Sequence, residues 1–196
     1  MKRPVIICAV GLFLVRAATG ASPAVSAQSG GAWTTLFDGK DLNQWTPIGN
    51  ANWKVLDGAV QADMGTGFLV SKAAYGDFEL RAEVWVTDDA NSGIFIRAEN
   101  PKEISAMNAY EVNIFDQRPD PAYRTGAIVN VAKPASIVNA GGKWNTMEIT
   151  ARGSHFTVKL NGVTTVADAQ DAAHPRGAIA LQYGAGTVKF RSVQIR

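Results

Sequence analysis

The stretch "NAYEVNIFDQRPD", Asn108 to Asp120, holds the residues whose types and spacing best suit chemistry. Read as a strand, it alternates Tyr110, Val112 and Ile114 on one side of the pleat with Glu111, Asn113 and Phe115 on the other, and Asp116 stands at its end. The segment "GIFIR" repeats the pattern, with Ile94 and Ile96 on one side and Phe95 and Arg97 on the other. If these strands and "DFELRAEVWV" are neighbours, as sequential strands usually are, one sheet face carries Trp85, Phe95, Arg97, Glu111, Asn113 and Phe115. Such a face suits a sugar: rings stack on its C–H faces, while carboxylate, guanidinium and amide take hydroxyls in bidentate fashion. The plain alternative is an Arg97–Glu111 cross-strand ion pair on a solvated face, worth under about 1 kcal/mol.

The elements that must position these groups are strands. "DFELRAEVWV" sets Phe78, Leu80, Ala82, Val84 and Val86 against Glu79, Arg81, Glu83 and Trp85, the period of two that marks a half-buried strand. "HFTVKL" and "VTTVA" flank Asn161-Gly162, the pair preferred in a type I′ hairpin because both positions need positive φ. "GAIALQY" and "TVKFRSVQIR" are two more strands, and the shift of apolar phase in the second predicts a bulge near Arg191-Ser192. "NWKVLDGAVQA", "GFLVS", "GAIVNVA" and "WNTMEITA" are shorter candidates. Helical periodicity is nearly absent: "SKAAY" makes at most a turn, and 168–176 is a loop or one short helical turn. Many short strands with regular turn signals predict an all-β jelly-roll sandwich of two antiparallel sheets in one domain. Trp33, Trp45, Trp53 and Trp144 are expected to pack in the core or on the sheets.

The first 27 of the 196 residues read differently. Lys2 and Arg3 precede the apolar run "VIICAVGLFLV", and Val25-Ser26-Ala27 offers a small-x-small cleavage site, the layout of a secretory signal peptide. The run is shorter than the roughly 20 residues of a membrane span. The reading is therefore a cleaved signal at 1–27, one domain at 28–196, and a periplasmic or extracellular destination. Cleavage after Ala27 would remove Cys8, the only cysteine, and with it any disulfide, thiolate metal site or cysteine nucleophile. The leader holds three of the 19 basic residues and no acid, which leaves 16 basic against 17 acidic. A chain so balanced, without a Lys/Arg cluster, is not expected to bind nucleic acid. Its expected partner is a carbohydrate.

An ordered set of segments carries a resemblance: "LFDGKDLNQW", "WKVLDGAV", "DFELRAEVWVTDDANSGIFIR", "AYEVNIFD", "RTGAIV", "GKWNTMEITARGSHFTVKLNGV" and "GAIALQY…VKFRSVQIR". Together, from about Trp33 to Arg196, they resemble the 3-keto-disaccharide hydrolase domain family. The resemblance implies a concanavalin A-like lectin/glucanase jelly roll and substrates that are glycosides oxidised to a ketone at C3. It places Arg97 at the family's arginine and Glu111 and Asp116 at its acids, with Asn113 where relatives more often have Gln or another polar residue. The chain departs from the family in "LQYGAG", where many relatives have a histidine close after the Leu-Gln pair.

A conventional glycosidase needs two carboxyl groups at a set spacing. Glu111 and Asp116 lie roughly 16 Å apart along an extended strand at about 3.3 Å per residue, a poor pair. A 3-keto sugar needs less: one base to take the acidified C2 proton and one group to stabilise the enolate oxygen, after which the C1 substituent leaves and water adds. Glu111 is the expected base and Arg97 the oxyanion partner. Asp116 would orient the sugar or hold a divalent cation, Trp85 and Phe95 would form a stacking platform, and Arg124 of "RTGAIV" would stand near the rim. No cofactor is assigned: "TDDANSG" reads equally as a Ca²⁺ loop and as an Asx turn, and His155 and His174 are too isolated for a ligand motif. Two alternatives remain, a non-catalytic carbohydrate-binding module using the same face and a conventional endoglucanase.

Overall fold

The computed structural model describes residues 31–196, and the leader expected at 1–27 lies outside them. Thirteen strands run in chain order: β1 (Thr34–Phe37), β2 (Trp45–Gly49), β3 (Lys54–Leu56), β4 (Ala59–Ala62), β5 (Gly67–Tyr75), β6 (Phe78–Val86), β7 (Asn91–Ala98), β8 (Tyr110–Ile114), β9 (Trp144–Arg152), β10 (His155–Leu160), β11 (Val163–Gln170), β12 (Gly177–Ala185) and β13 (Val188–Ile195). They form two antiparallel sheets. The larger has the order β11-β10-β9-β6-β13-β4-β3 with β1 added beside β13, and the smaller is β2-β5-β12-β7-β8. The all-β two-sheet sandwich expected from the alternation is the fold observed.

Alternation explains the core between the sheets. Phe78, Leu80, Ala82, Val84 and Val86 of β6 point inward with Met147 and Ile149 of β9 and Phe190 of β13, and meet Ile94, Ile96, Val112, Ile179 and Leu181 of the smaller sheet. The Asn161-Gly162 turn joins β10 to β11 with φ of 53° and 80°, and the bulge in β13 falls at Ser192, where φ is 51° and the register to β6 slips. Trp45 is buried and donates its indole N–H to Leu36 O at 2.8 Å.

Three local expectations are corrected. "SKAAY" is strand, because Ala74 and Tyr75 pair with Ala178 and Gly177 of β12. The segment expected to loop from Asp168 begins instead as the end of β11, where His155 and Gln170 pair across the ladder. "GAIVNVA" forms no strand: Ile128 makes single bridges to Val112 and Ala132 around Asn130 with φ of 63°, and Gly126 N–H and Val129 N–H donate to Asn113 O and Glu111 O of β8.

The smaller sheet is covered on both faces. Its outward face carries a second apolar cluster of Val70, Phe95, Ala98, Ala109, Ala178 and Ala180, against which Ile48, Phe68 and Ile104 pack. Ile104 belongs to the 99–109 loop, which is closed at its neck by Glu99 N–H donating to Asn108 O and inside by Asn108 Nδ2 donating to Glu103 O at 2.7 Å. A sheet buried on both sides reads as a near-continuous apolar run, as β7 and β12 do.

Candidate functional site

Register brings the polar groups of the smaller sheet together. On β12, Ile179, Leu181 and Tyr183 face the core, so Ala178, Ala180, Gln182 and Gly184 face outward. Gln182 lies opposite Gly93 of β7, Gly93 opposite Asn113 of β8, and Phe95 opposite Glu111. Gly93 has no side chain to separate its neighbours. A Cβ there would lie 3.3 Å from Gln182 Oε1 and 3.4 Å from Glu111 Cγ, so both side chains lean over this glycine.

The electrostatics of this cradle are unusual. Gln182 Oε1 and Asn113 Oδ1 are buried acceptors with no hydrogen-bond partner, although an unpaired buried acceptor costs about 1–3 kcal/mol. Asn113 is held in place by its other end, since Nδ2 donates to Tyr123 O. Glu111 is half-buried, and burial pushes its carboxyl above the usual 4.5, an effect that the charge of Arg118 partly offsets. Arg118 stands 5.7 Å from the Phe115 ring centroid and 6.0 Å from that of Tyr123. A desolvated base, a nearby cation and two acceptors in want of donors share one sheet face. Together they can grip hydroxyl groups and move a proton.

Arg97 is not part of this face. β7 carries one extra residue between Phe95 and Ala98 relative to β12, and Arg97 takes φ of 53°. This bulge turns the side chain into the sandwich, where it is 1% exposed. Nε donates to Gly76 O at 2.9 Å, Nη1 to Gly153 O at 2.7 Å and His174 O at 3.3 Å, and Nη2 to Asp77 Oδ1 at 3.3 Å. It ties three turns to one end of the fold, and Phe156 lies under it with 5.1 Å from the guanidinium carbon to the ring centroid. Strict alternation fails here because a bulge reverses the side on which every later side chain emerges.

Trp85 is also placed elsewhere. β6 belongs to the larger sheet, so its outward face is the opposite face of the molecule, where Trp85 pairs with Trp144 of β9. Lys189 Nζ sits 4.8 Å from its ring centroid. The chain crosses between sheets from β6 to β7, which breaks the expectation that sequential strands adjoin. Phe95 faces the same side as Glu111 but is 2% exposed beneath the second apolar cluster, so it supports the floor and offers no stacking surface. Phe115 is half-buried beside Arg118.

Asp116 fastens a loop. Its carboxylate accepts from Thr125 Oγ1 at 2.5 Å, Ala140 N at 2.8 Å and Gly141 N at 2.8 Å. It lines a separate open cleft of about 540 Å³ with Asp88, Arg124 and Asn139, and Arg124 Nε donates to Arg118 O at 3.0 Å. Arg124 thus supports the loop that carries Arg118. His174, a loop residue in sequence, packs edge-on to Tyr110 with 5.0 Å between ring centroids and lies 3.4 Å from Glu99.

Sequence reasoning missed Gln182, Gly93 and Arg118. The first two had a signal. Gln182 is the one amide in "GAIALQY", and a glycine inside a strand marks a close approach. Arg118, in the turn "FDQRPD", had none.

A family model for the 3-keto-alpha-glucoside-1,2-lyase-like domain matches residues 32–196. The chain belongs to this family. Members are glycosyl hydrolase-like, carbohydrate-active domains, and the lyase-like family covers the whole described sandwich. No curated protein matches the chain significantly. Among solved structures, it is similar to a candidate glycosyl hydrolase from Parabacteroides distasonis ATCC 8503, at 25% identity over 85% of this chain and 99% of that one, with a TM-score of 0.71. A second such protein from the same organism has 20% identity over 84% and 93%, with a TM-score of 0.75. A carbohydrate-binding module from Bacillus subtilis shares the fold at 20% identity over 76% and 93%, with a TM-score of 0.61.

Gly184 follows Gln182 on the same face, and a Cβ there would meet Asn91 O at 2.9 Å and Asn91 Nδ2 at 3.1 Å. Asn91 thus crowds any side chain at this position. Among the described residues no three His, Cys, Asp or Glu side chains come together as metal ligands. The donor set of the cradle, one carboxylate and two amides, lacks the charge of a strong divalent site, and the cation whose charge reaches Glu111 is Arg118.

Proposed function

We propose that the protein cleaves 3-keto-glycosides by elimination at the cradle over Gly93. The observation that carries this reading is a desolvated Glu111 beside two buried, unpartnered amide oxygens. Gln182 Oε1 and Asn113 Oδ1 accept from sugar hydroxyls, which fixes the ring over Gly93. Glu111 takes the proton from C2, and the electron pair moves into an enolate whose oxygen, at C3, is held by Arg118. The enolate collapses to the ketone, a C1=C2 double bond forms, and the C1–O bond breaks. The leaving oxygen recovers a proton from protonated Glu111 or water, and water then adds across C1=C2 to release the free 3-keto sugar.

The test is NMR in deuterated water with a 3-keto disaccharide and its unoxidised parent. Cleavage of the keto sugar alone, with deuterium at C2, is the expected result; cleavage of both would point to a conventional glycosidase. A second reading, a carbohydrate-binding module, is favoured by the "LQYGAG" segment, where the resemblance expects a histidine after the Leu-Gln pair. It predicts binding of both sugars and cleavage of neither.

Two further results are expected. The base must be ionised, so the acid limb of kcat/KM lies above the pH of an ordinary glutamate. Arg118→Met removes a charge that lowers the Glu111 pKa, so its limb moves to still higher pH while kcat falls; a limb that stays in place would dissociate Glu111 from the rate. Gly93 has ordinary φ, and a Cβ there would stand 3.3 Å from Gln182 Oε1 and Val112 O, close enough that these neighbours must give by a few tenths of an ångström. Gly93→Val therefore folds, at a cost of about 1–3 kcal/mol for overpacking, yet fills the hollow between Gln182 and Glu111. Ligand affinity by calorimetry should fall about tenfold or more, equivalent to about 1.4 kcal/mol; unchanged affinity would place the sugar elsewhere.

A further inference from the structure

Beyond Gln182 the same sheet face continues into two cavities. The first, of about 490 Å³, is lined by Phe68, Ile48 and Ile104, with Asn91, Lys102 and Glu103 among its polar residues. The second, of about 570 Å³, runs on along β2 and β5 past Val70 and Pro101. They share Ile48 and Lys102, so they form one trench beneath the 99–109 loop. Gln182 lines its inner end and Gly93 lies directly opposite Gln182, so the trench adjoins the cradle at this side chain. Phe68 is fixed edge-to-face against Phe95, with 5.3 Å between centroids and 88° between planes. Phe68, Ile48 and Ile104 are each half-buried, leaving apolar surface facing the trench.

We propose that this trench receives the leaving group of the glycoside, and that it selects an elongated aromatic aglycone over a second sugar. The proposal rests on the elimination reading for the cradle and adds the class of substrate. A pyranose leaving group carries hydroxyls around its whole rim, and each hydroxyl buried without a partner costs about 1–3 kcal/mol. The exposed lining is mainly apolar, from Ile48, Phe68, Ile104, Val70 and Pro101, with Thr46, Thr66, Ser71 and Lys72 as further polar neighbours. A flat aromatic group loses little by entering such a surface and gains from stacking on Phe68. The length of the trench, two cavities joined at Ile48, suits two rings in line.

The experiment compares 3-keto-glucosides of phenol, 4-phenylphenol and glucose, with the free 4-phenylphenol titrated separately into ¹⁵N-labelled protein. The two phenols leave with similar ease, so their comparison reports binding. The expected order of kcat/KM is 4-phenylphenyl, phenyl, then glucosyl, and Ile48→Ser should lower the 4-phenylphenyl-to-phenyl ratio about tenfold, by loss of apolar contact with the outer ring. Free 4-phenylphenol should shift the amide signals of Ile48, Phe68 and Ile104. A preference for the disaccharide, or shifts confined to other parts of the molecule, would overturn the proposal. Shifts at Ile48 and Phe68 in a protein that cleaves none of the three would leave the aromatic-binding trench standing and remove the lyase reading, so the two ideas fail separately.

Discussion

Glu111→Gln should abolish turnover of a 3-keto-glycoside, by about 10²–10⁴-fold as for loss of a positioned general base, while ligand affinity stays near that of the parent protein. The amide keeps the shape of the side chain and can still bond a hydroxyl, so only the proton acceptor is lost. The same substitution should also raise stability at neutral pH. Burial holds the Glu111 carboxyl above the usual 4.5 in the folded protein, so the native state binds this proton more tightly than the unfolded chain does. That contribution to stability is fully present below about 4.5, the ordinary value for a glutamate, and is lost as pH rises through the raised value. Glutamine cannot ionise and escapes the loss. Calorimetric melting at pH 7 should therefore give a higher Tm for Glu111→Gln, and the difference should close near pH 4. A side chain that costs stability at neutral pH fits a functional group. Lower Tm at both pH values, or equal loss of binding and turnover, would count against the base.

Arg97→Met should be the most destabilising single change on the sheet face first read as catalytic. It removes the donors that satisfy Gly76 O, Gly153 O and His174 O and the cation that pairs with Asp77. Breaking a buried, hydrogen-bonded charge network costs about 3–5 kcal/mol. At about 2–4 °C per kcal/mol for a domain of this size, the Tm should fall by about 6–20 °C. Arg97→Lys should recover little of this, because one ammonium cannot reproduce the planar fork that reaches three turns at once. Measured at a temperature where the variant remains folded, kcat should stay close to that of the parent. A loss of kcat in folded Arg97→Met would return the residue to the reaction, a role its burial away from Glu111 speaks against.

Glu111 and Arg97 illustrate what alternation can and cannot carry. The outward set of β8 was legible because Tyr110, Val112 and Ile114 demand the core, and a strand has only two sides. Glu111 and Asn113 follow by exclusion, and the structure places both on the outward face beside Gly93. For Arg97 the same argument assumed an unbroken ladder, and the bulge after Phe95 reversed it. Trp85 was assigned to its correct side of β6 but to the wrong sheet, because nothing local records that the chain changes layer between Val86 and Asn91. Phe95 points where expected, yet the 99–109 loop brings Ile104 over that apolar cluster. Asp116 looked available as a lone carboxylate until the amides of Ala140 and Gly141, distant in sequence, were seen to occupy it.

The sequence by itself determined the class of fold, the Asn161-Gly162 hairpin, the bulge in β13, the family, and the carboxylate and amide of the cradle. These properties are written in local patterns: the period of two, the φ > 0 demands of turn residues, and an ordered set of segments. The tertiary structure alone decided which cation lies near Glu111, that Gly93 and Gln182 stand beside it on one face, and that apolar cavities adjoin Gln182. Those facts depend on strand order, register across β12, β7 and β8, and the path of one loop over the sheet. Each is set by long-range packing of the whole apolar core, and no short stretch of residues encodes it.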